Sequence, residues 1–339
     1  MPVTPKASYG ALETRIAKEV TYGVAPAAID QRLGDVSIVP SPDVEVDFYG
    51  PTGTTSPTVG NVLTDRAMGD VTGRQSFTGI GYILSSMFGD PVTTTPDATG
   101  APTVRQHVWT YTGLRTASFN SYAVDFGSTT WASRILGGLF NGLDLTIARG
   151  NLDFSSSFWG KSYTTGIGAG STPIFATTVT DVPFKPMRGL DYEVFLDNTW
   201  AALGTTKLLE LYSADIAIGE RTAPSEPVNR TRSSDGVVEV GEQEHTCNLL
   251  LGLDTIADAQ IAKLKAGGQA FVRTRAQGDA IAAAQNYLFQ ADMAIVYSGA
   301  SAPTDENEVA VMPLDGRIVR DTVSGFSARF TVVNIQTAY

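Results

Sequence analysis

The chain has 339 residues, 42% of them hydrophobic, and its formal net charge is -11 at pH 7. A chain of about 300 residues buries roughly 75% of its unfolded surface, so this length allows a large core and one or two domains. The excess of carboxylates argues against a surface that grips nucleic-acid phosphates, which requires Lys and Arg.

Residues 1–34 contain few side chains suited to a core, and we predict an extended arm there. The segment lacks the apolar run of a signal peptide, and the chain contains no apolar stretch of about 18 residues that would span a membrane. We therefore expect a protein that is soluble when made and has no membrane partner.

Between Asp35 and Gly89 the pattern predicts short strands, a loop and a helix. The runs DVSIV and DVEVDF are separated by Pro40 and Pro42, and residues 49–59 are rich in Gly, Pro and Thr, which is typical of a loop. A strand, DVTGRQSF, then leads into a segment whose apolar residues have helical spacing: Ile80, Ile83, Leu84 and Met87.

The following segments alternate in the manner of strands. RQHVWTYTG and RTASFNSYAVDFG precede a longer pattern that predicts two antiparallel strands joined near Arg149, Gly150 and Asn151. Residues 163–172 are rich in Gly and Ser and predict a loop before strands near Ala176 and Tyr192.

The second half begins with LLELYSADIAIG, in which Tyr212, Ala214, Ile216 and Ile218 share one face of a strand. The polar segment from Glu220 to Asp235 follows. We predict a loop there, which is either a solvated hairpin or an arm that contacts a partner.

Residues 242–297 carry the clearest local signals of the chain. Cys247, Leu249 and Leu251 fall on one face of a predicted strand. A helix follows, capped by Asp254 or Thr255 and ended by the Gly pair at 267–268, with an apolar stripe of Ala257, Ile261 and Leu264. A further strand places alternate residues on one face: Tyr287, Phe289, Ala291, Met293, Ile295 and Tyr297.

The two halves repeat the same order of elements, namely strand, long loop, strand, short helix and several strands. This order predicts a mainly β fold with two tandem related domains, each a β-sandwich or barrel flanked by a short α-helix. The predicted boundaries are an N-terminal arm over residues 1–34, a first domain over 35–175 and a second over 176–339.

Motifs for chemistry are weak. His245 and Cys247 share a strand face, but a zinc site needs three or four ligands, and neither they nor His107 have the required companions. The glycines at 166, 168 and 170 are not followed by the Lys and helix of a phosphate loop. No pair of carboxylates stands out for hydrolysis. We therefore predict no enzyme activity, with no catalytic, cofactor or metal residues.

The chain resembles the major tail tube proteins of long-tailed, non-contractile bacteriophages. The resemblance lies in a series of segments taken in order: Glu19 to Gly23 (EVTYG), SSMFGD, HVWTY, SFNSYAVDFG, LFNGLDLTIARGNLDFSSSFWGK, FKP and a closing strand that ends in VVN. Each segment is weakly specific, whereas their order is more so.

The resemblance implies a structural virion protein that assembles with itself in the host cytoplasm and resides in the virion tail. In that family, β domains close into rings around a channel, and stacked rings pass DNA without reading its sequence. Two tube domains in one chain favour a trimeric ring with pseudo-sixfold symmetry over six copies. Tape-measure and tail-terminator or tip proteins are the implied further partners.

The family's contact segments correspond here to residues 20–26, 40–70, 220–235 and 337–339. The residues implied in inter-ring or inter-subunit contacts are Tyr22, Val24, Phe48, Tyr49, Arg221, Arg230, Arg232 and Tyr339. The alternatives are another virion β protein, such as a capsid decoration or tail-tip component, and a carbohydrate-binding or hydrolysing β protein with Trp131, Trp159 or Trp200 in a groove.

Overall fold

A computed structural model of the chain describes residues 12–52, 55–115, 118–128, 131–150, 152–166, 179–227, 231–241 and 243–339. The fold is mainly β, which confirms the predicted class. Within these ranges neither helix is long and apolar enough to cross a membrane.

The elements of the first half, up to residue 166, are β1 (Glu13–Lys18), β2 (Gln31–Leu33), β3 (Val36–Tyr49), β4 (Val59–Arg74), α1 (Ile80–Phe88), β5 (Val92–Thr94), β6 (Arg105–Tyr111), β7 (Tyr122–Gly127), β8 (Ala132–Ala148), β9 (Asp153–Gly160) and β10 (Ser162–Thr165). The predicted strand pair around residue 150 is therefore confirmed as β8 and β9, which pair antiparallel.

The elements of the second half are β11 (Thr180–Asp181), β12 (Tyr192–Asp197), β13 (Leu211–Ile218), β14 (Thr222–Ser225), β15 (Gly236–Glu239), β16 (His245–Gly252), α2 (Thr255–Ala266), β17 (Gln269–Ala282), β18 (Gln285–Ala300), β19 (Thr304–Glu306), β20 (Val309–Ile318) and β21 (Ala328–Asn334). The predicted loop at 163–172 and the strand near Ala176 fall largely outside the described residues.

One antiparallel sheet runs through both halves in the order β3–β4–β9–β8–β13–β16–β20–β18. One face of this sheet, which we call the core face, is apolar and buried, because alternate residues of every strand point inward. Its members include Ile38, Val71, Phe154, Leu145, Ile216, Leu249, Leu314 and Ile295.

Further strands lie beside this sheet and share its core. β18 also pairs with β17 and, through its N-terminal half, with β21. β21 in turn pairs with β6. The N-terminal half of β8 pairs with β7, and β7 pairs with β1. The main hydrophobic cluster contains residues of both halves. The division into two domains at residue 175 stays a prediction, and the β8–β13 pairing adds that the halves share a sheet.

The helix α2 begins and ends at the predicted residues. The Asp254 side chain accepts hydrogen bonds from the backbone N–H groups of Ile256 and Ala257 at 2.8 and 2.9 Å, so Asp254 is the cap. At the other end Gly267 adopts φ 62°, which an L side chain rarely takes, and its N–H bonds the last turn. The helix packs on β18.

The helix α1 is also where the spacing predicts it, but it is buried on nearly every side. Its residues from Ile80 to Met87 are all buried, and it packs against β8 and β6. A Cβ at Gly81 would lie 2.2 Å from the ring of Tyr339, so only glycine leaves room for that ring. This helix is therefore a central core element, whereas α2 covers one side of a sheet.

Two segments differ in part from their predictions. Residues 12–34 of the predicted arm contain β1 and β2, which pair with each other, and the side chains of Ile16 and Leu33 are buried, while the arm as a separate unit stays a prediction. The two strands predicted on either side of Pro40 and Pro42 form the single strand β3, so the predicted break there is wrong, and β3 and β4 pair from Val36 with Gly73 to Tyr49 with Val59.

Candidate functional site

The face of the long sheet opposite the core face is mostly polar, with a few apolar side chains such as Val39 and Met68, and we call it the polar face. It carries short hydroxyl, amide and carboxylate side chains, and cross-strand pairs such as Thr72 with Ser155 and Thr146 with Asp215 place them in rows. Its members include Ser37, Thr72, Ser155, Asp144, Thr146, Asp215, Asn248, Arg317 and Ser298, none of which is buried.

Negative charge predominates among the ionisable groups of the polar face. The carboxylates are those of Asp70, Asp144, Asp153, Asp215 and Asp315, and the guanidiniums are those of Arg74 and Arg317. Such a surface repels phosphate rather than collecting it. These acids were not predicted to share one face; the alternation in LDLTIA and YSADIAI is a signal for two of them, Asp144 and Asp215.

The hairpin of β3 and β4 extends beyond the sheet. β9 pairs with β4 only as far as Ala67, and the residues of the hairpin beyond that point are mostly exposed. The side chains of Phe48 and Tyr49 at its end are 67% and 61% exposed. Further exposed apolar side chains along the hairpin are Val44, Val46, Val59 and Leu63. An apolar projection of this kind is typical of a protein contact.

The strands β8 and β18 hold similar places in the two halves but differ in their neighbours. The C-terminal half of β8 has β9 on one edge and β13 on the other. The C-terminal end of β18 pairs with β20, and its pairing with β17 stops at Val296. Among the described residues, no strand occupies the other edge of β18 after Val296.

The outer edge of β3 is the second open edge in the sense that no described strand pairs with it, and the Ile38 N–H on this edge donates to Thr14 Oγ1 at 3.5 Å. In the described part of the chain β3 pairs only with β4. The Asp35 carbonyl accepts from the Arg74 N–H, so the alternate residues Ile38, Pro40 and Pro42 direct their backbone nitrogens to the outer edge. Proline has no N–H, and such positions are typical of an edge that resists indiscriminate pairing.

The predicted loop at residues 220–235 begins with a buried anchor. Arg221 is fully buried, with its guanidinium 4.6 Å from the ring centre of Tyr111, 4.8 Å from that of Phe88 and 2.8 Å from a carboxylate oxygen of Glu239. The prediction of Arg221 as a surface contact is therefore wrong, because aromatic rings distant in sequence enclose it.

Backbone and hydroxyl contacts extend this anchor into the first half. The N–H groups of Arg221 and Thr222 both donate to Oδ1 of Asn141 at 2.8 Å, and Trp159 Nε1 donates to Thr222 Oγ1 at 3.1 Å. The strands β14 and β15 then form a two-stranded ribbon. We call residues 221–227 and 231–240 the strap.

The far end of the strap brings three predicted contact segments together. Tyr22 Oη lies 2.9 Å from Ser234 Oγ, and the backbone N–H of Asp65 donates to the Arg232 carbonyl at 2.8 Å. Arg66 Nη1 donates to Glu226 Oε1 at 2.8 Å. Arg232 thus contacts the hairpin through its backbone.

Three other predicted contact residues have different outcomes. Val24 is 56% exposed beside the Tyr22 turn. Tyr339 is buried against Tyr82, His107 and Trp109, so its prediction as part of an exposed arm is wrong. Arg230 lies outside the described residues.

The two histidines and the cysteine are in the core. His245 Nδ1 accepts from the Gly219 N–H at 3.0 Å, and Nε2 lies 3.2 Å from Tyr111 Oη. Burial, and secondarily the charge of Arg221, lowers the pKa of His245 to about 4. Burial raises the pKa of the Cys247 thiol to about 12. His107 Nε2 donates to the Gln336 carbonyl.

The tryptophans named for a carbohydrate groove have separate surroundings. Trp159 is 6% exposed, Trp200 packs against Phe271 and Phe326, and Trp131 is 44% exposed. A scan against known protein-family models and a search of curated proteins find no match to this chain.

Proposed function

We propose that this chain is a structural subunit of a bacteriophage tail tube, in which copies close into rings and rings stack around a channel for DNA. The observation that carries this proposal is one continuous sheet with a polar, acidic face and an open strand edge at each end. A second copy that places its β3 edge beside the end of β18 would extend the sheet through the outward carbonyls of β3, because Pro40 and Pro42 have no N–H and the Ile38 N–H already donates to Thr14 Oγ1.

The intramolecular junction between β8 and β13 supports this arrangement. It joins the strands of the first half to those of the second through antiparallel pairing from Leu143 with Ile218 to Ala148 with Ser213. Each half contributes four strands to the sheet, so three copies would supply six similar sectors. This count favours a trimeric ring with pseudo-sixfold symmetry over a hexamer.

The polar face would then line the channel. DNA carries one negative charge per about 1.7 Å of duplex, so a lining in which carboxylates outnumber guanidiniums gives phosphates few places to bind. DNA would pass without sequence-specific contacts. The tape-measure protein and the terminator or tip proteins are the further partners that this role requires, and the virion tail is its location.

Electron microscopy of the purified protein tests the proposal directly. We expect concentrated protein to form rings or hollow rods with threefold symmetry end-on. Featureless monomers, together with absence of the protein from purified tails, would contradict it. Presence at low abundance in another virion component would instead support a decoration or tail-tip role.

Cross-linking tests which edges meet. The double variant S41C/S298C has one new thiol beside each open edge, and a short bis-maleimide should join assembled copies into oligomers that end at a closed trimer. T146C is the matched control, because Thr146 pairs with Asp215 inside the chain. Cross-linked oligomers that end at six copies would show a hexameric ring instead of a trimeric one. Assembled particles without cross-links would show that these two edges do not meet between copies.

A further inference from the structure

The two ends of the strap differ in burial. At its base, Arg221 is enclosed by aromatic rings and paired with Glu239, whose side chain is 10% exposed. At its far end, the side chains of Arg66 and Glu226 are 27% and 38% exposed. Exposed ion pairs are weak and are screened by salt, whereas buried ones are costly to break. The base is therefore held by a buried ion pair, whereas the ion pair that joins the far end to the hairpin is partly exposed to solvent. Ser234, also in the far end, is buried and bonds Tyr22.

The far end occupies an edge that would otherwise lack a neighbour. β9 follows β4 from Arg74 to Ala67 and then ends. Beyond Ala67, the backbone N–H of Asp65 meets the Arg232 carbonyl instead of a strand. Among the described residues, the strap thus makes one backbone contact of the kind that a pairing strand would repeat along this edge.

Arg66 links the strap to the hairpin through two carboxylates. Its guanidinium contacts Asp43, which lies on the other strand of the same hairpin, and Glu226 of the strap. The Asp43 contact lies within the hairpin, whereas the Glu226 contact joins hairpin to strap. Removing the charge of Asp43 therefore changes a contact within the hairpin, whereas removing the charge of Glu226 changes the contact between hairpin and strap.

We propose that the strap is a salt-sensitive clamp that holds the base of the β3–β4 hairpin against its own chain and releases it when the Arg66–Glu226 pair is broken. Release frees the Asp65 edge and lets the apolar end of the hairpin reorient. The clamp itself is a property of the single chain. Only its effect on assembly rests on the proposed function: contact with a second copy becomes faster once the hairpin is free.

Amide hydrogen exchange at Asp65 measures the clamp in the single chain. Glu226→Gln keeps the shape of the side chain and removes its charge, and we expect Asp65 to exchange about two- to fivefold faster at low salt. Asp43→Asn is the matched control and should leave Asp65 exchange unchanged. Raising salt from about 0.01 M to about 1 M shortens the Debye length from about 30 Å to about 3 Å and should reproduce the Glu226→Gln rate in the native protein.

Equal exchange in the native protein and Glu226→Gln at low salt would overturn the clamp. So would an Asp43→Asn effect as large as that of Glu226→Gln, since the strap would then have no special role. Light scattering adds the second readout, in which Glu226→Gln should shorten the lag before assembly at low salt. Native protein that never assembles, with the expected exchange pattern intact, would count against the tail-tube proposal and leave the clamp standing.

Discussion

The strand pairs β3–β4 and β13–β16 hold the same place in the two halves, yet they face different surroundings. Each pair is antiparallel, and a helix follows each within a few residues. β13 lies beside β8 and β16 lies beside β20, so the second pair is enclosed on both edges. The first pair has β9 on one edge for part of its length and, among the described residues, no strand on the other.

This difference separates residues that hold the fold from residues that are free for the proposed assembly. Residues of β16 are fixed by neighbours that the chain itself supplies, so changes there should act on the free energy of unfolding. Residues at the end of the β3–β4 hairpin have few such neighbours, so under the proposed function we expect changes there to act on contacts between copies.

A pair of alanine substitutions gives the largest contrast. Leu249 of β16 is 2% exposed on the core face, and Leu249→Ala should lower the free energy of unfolding by about 2–5 kcal/mol because it leaves a cavity in the core. Phe48→Ala should change it by no more than about 0.5 kcal/mol while weakening the stacking of rings. Urea unfolding and electron microscopy measure the two effects, and equal destabilisation by both variants would refute the comparison.

Local signals explain why the sequence predicted the second pair well. The alternation of Cys247, Leu249 and Leu251 and the Gly stop of α2 depend on neighbours in sequence, and the structure confirms them. The sequence predicts two short strands instead of the single strand β3, because Pro40 and Pro42 are typical of breaks. At an open edge a proline costs no ladder hydrogen bond, so β3 continues through both.

Burial of polar groups by distant residues was less predictable. Arg221 lies in a polar stretch of sequence, and its aromatic enclosure comes from Phe88 and Tyr111, which are more than a hundred residues away. Tyr339 follows the last strand closely, yet the space that receives it is created by Gly81. The acids of the polar face likewise depend on the pairing of distant strands, since alternation places each acid on a face of its own strand and the register brings them together.

Acid should lower the free energy of unfolding through the second pair, because β16 carries His245 and neither β3 nor β4 contains a histidine. The folded protein lowers the pKa of His245 from 6.5 to about 4. The unfolded chain thus binds the proton first, and stability is complete above pH 6.5 and is lost as the pH falls towards 4. The total loss from this group is about 3 kcal/mol at most.

Urea unfolding across this pH range measures the effect. His245→Asn keeps an acceptor near the Gly219 N–H and removes the titration, so the variant should lose less stability than the native protein between pH 6.5 and 4. Parallel curves for the two proteins would show that His245 does not titrate in this way. Carboxylates that titrate in the same range contribute equally to both.

The helices that follow the two pairs give the smallest contrast. α1 starts without a side-chain cap and is held by burial, whereas α2 is partly exposed and relies on Asp254. Asp254→Ala should cost about 1 kcal/mol, since two backbone N–H groups lose their acceptor. Thr255→Ala is the matched control at the neighbouring position and should cost less than about 0.5 kcal/mol. Urea unfolding distinguishes them, and an equal cost at both positions would mean that packing on β18, rather than the cap, holds the first turn of α2.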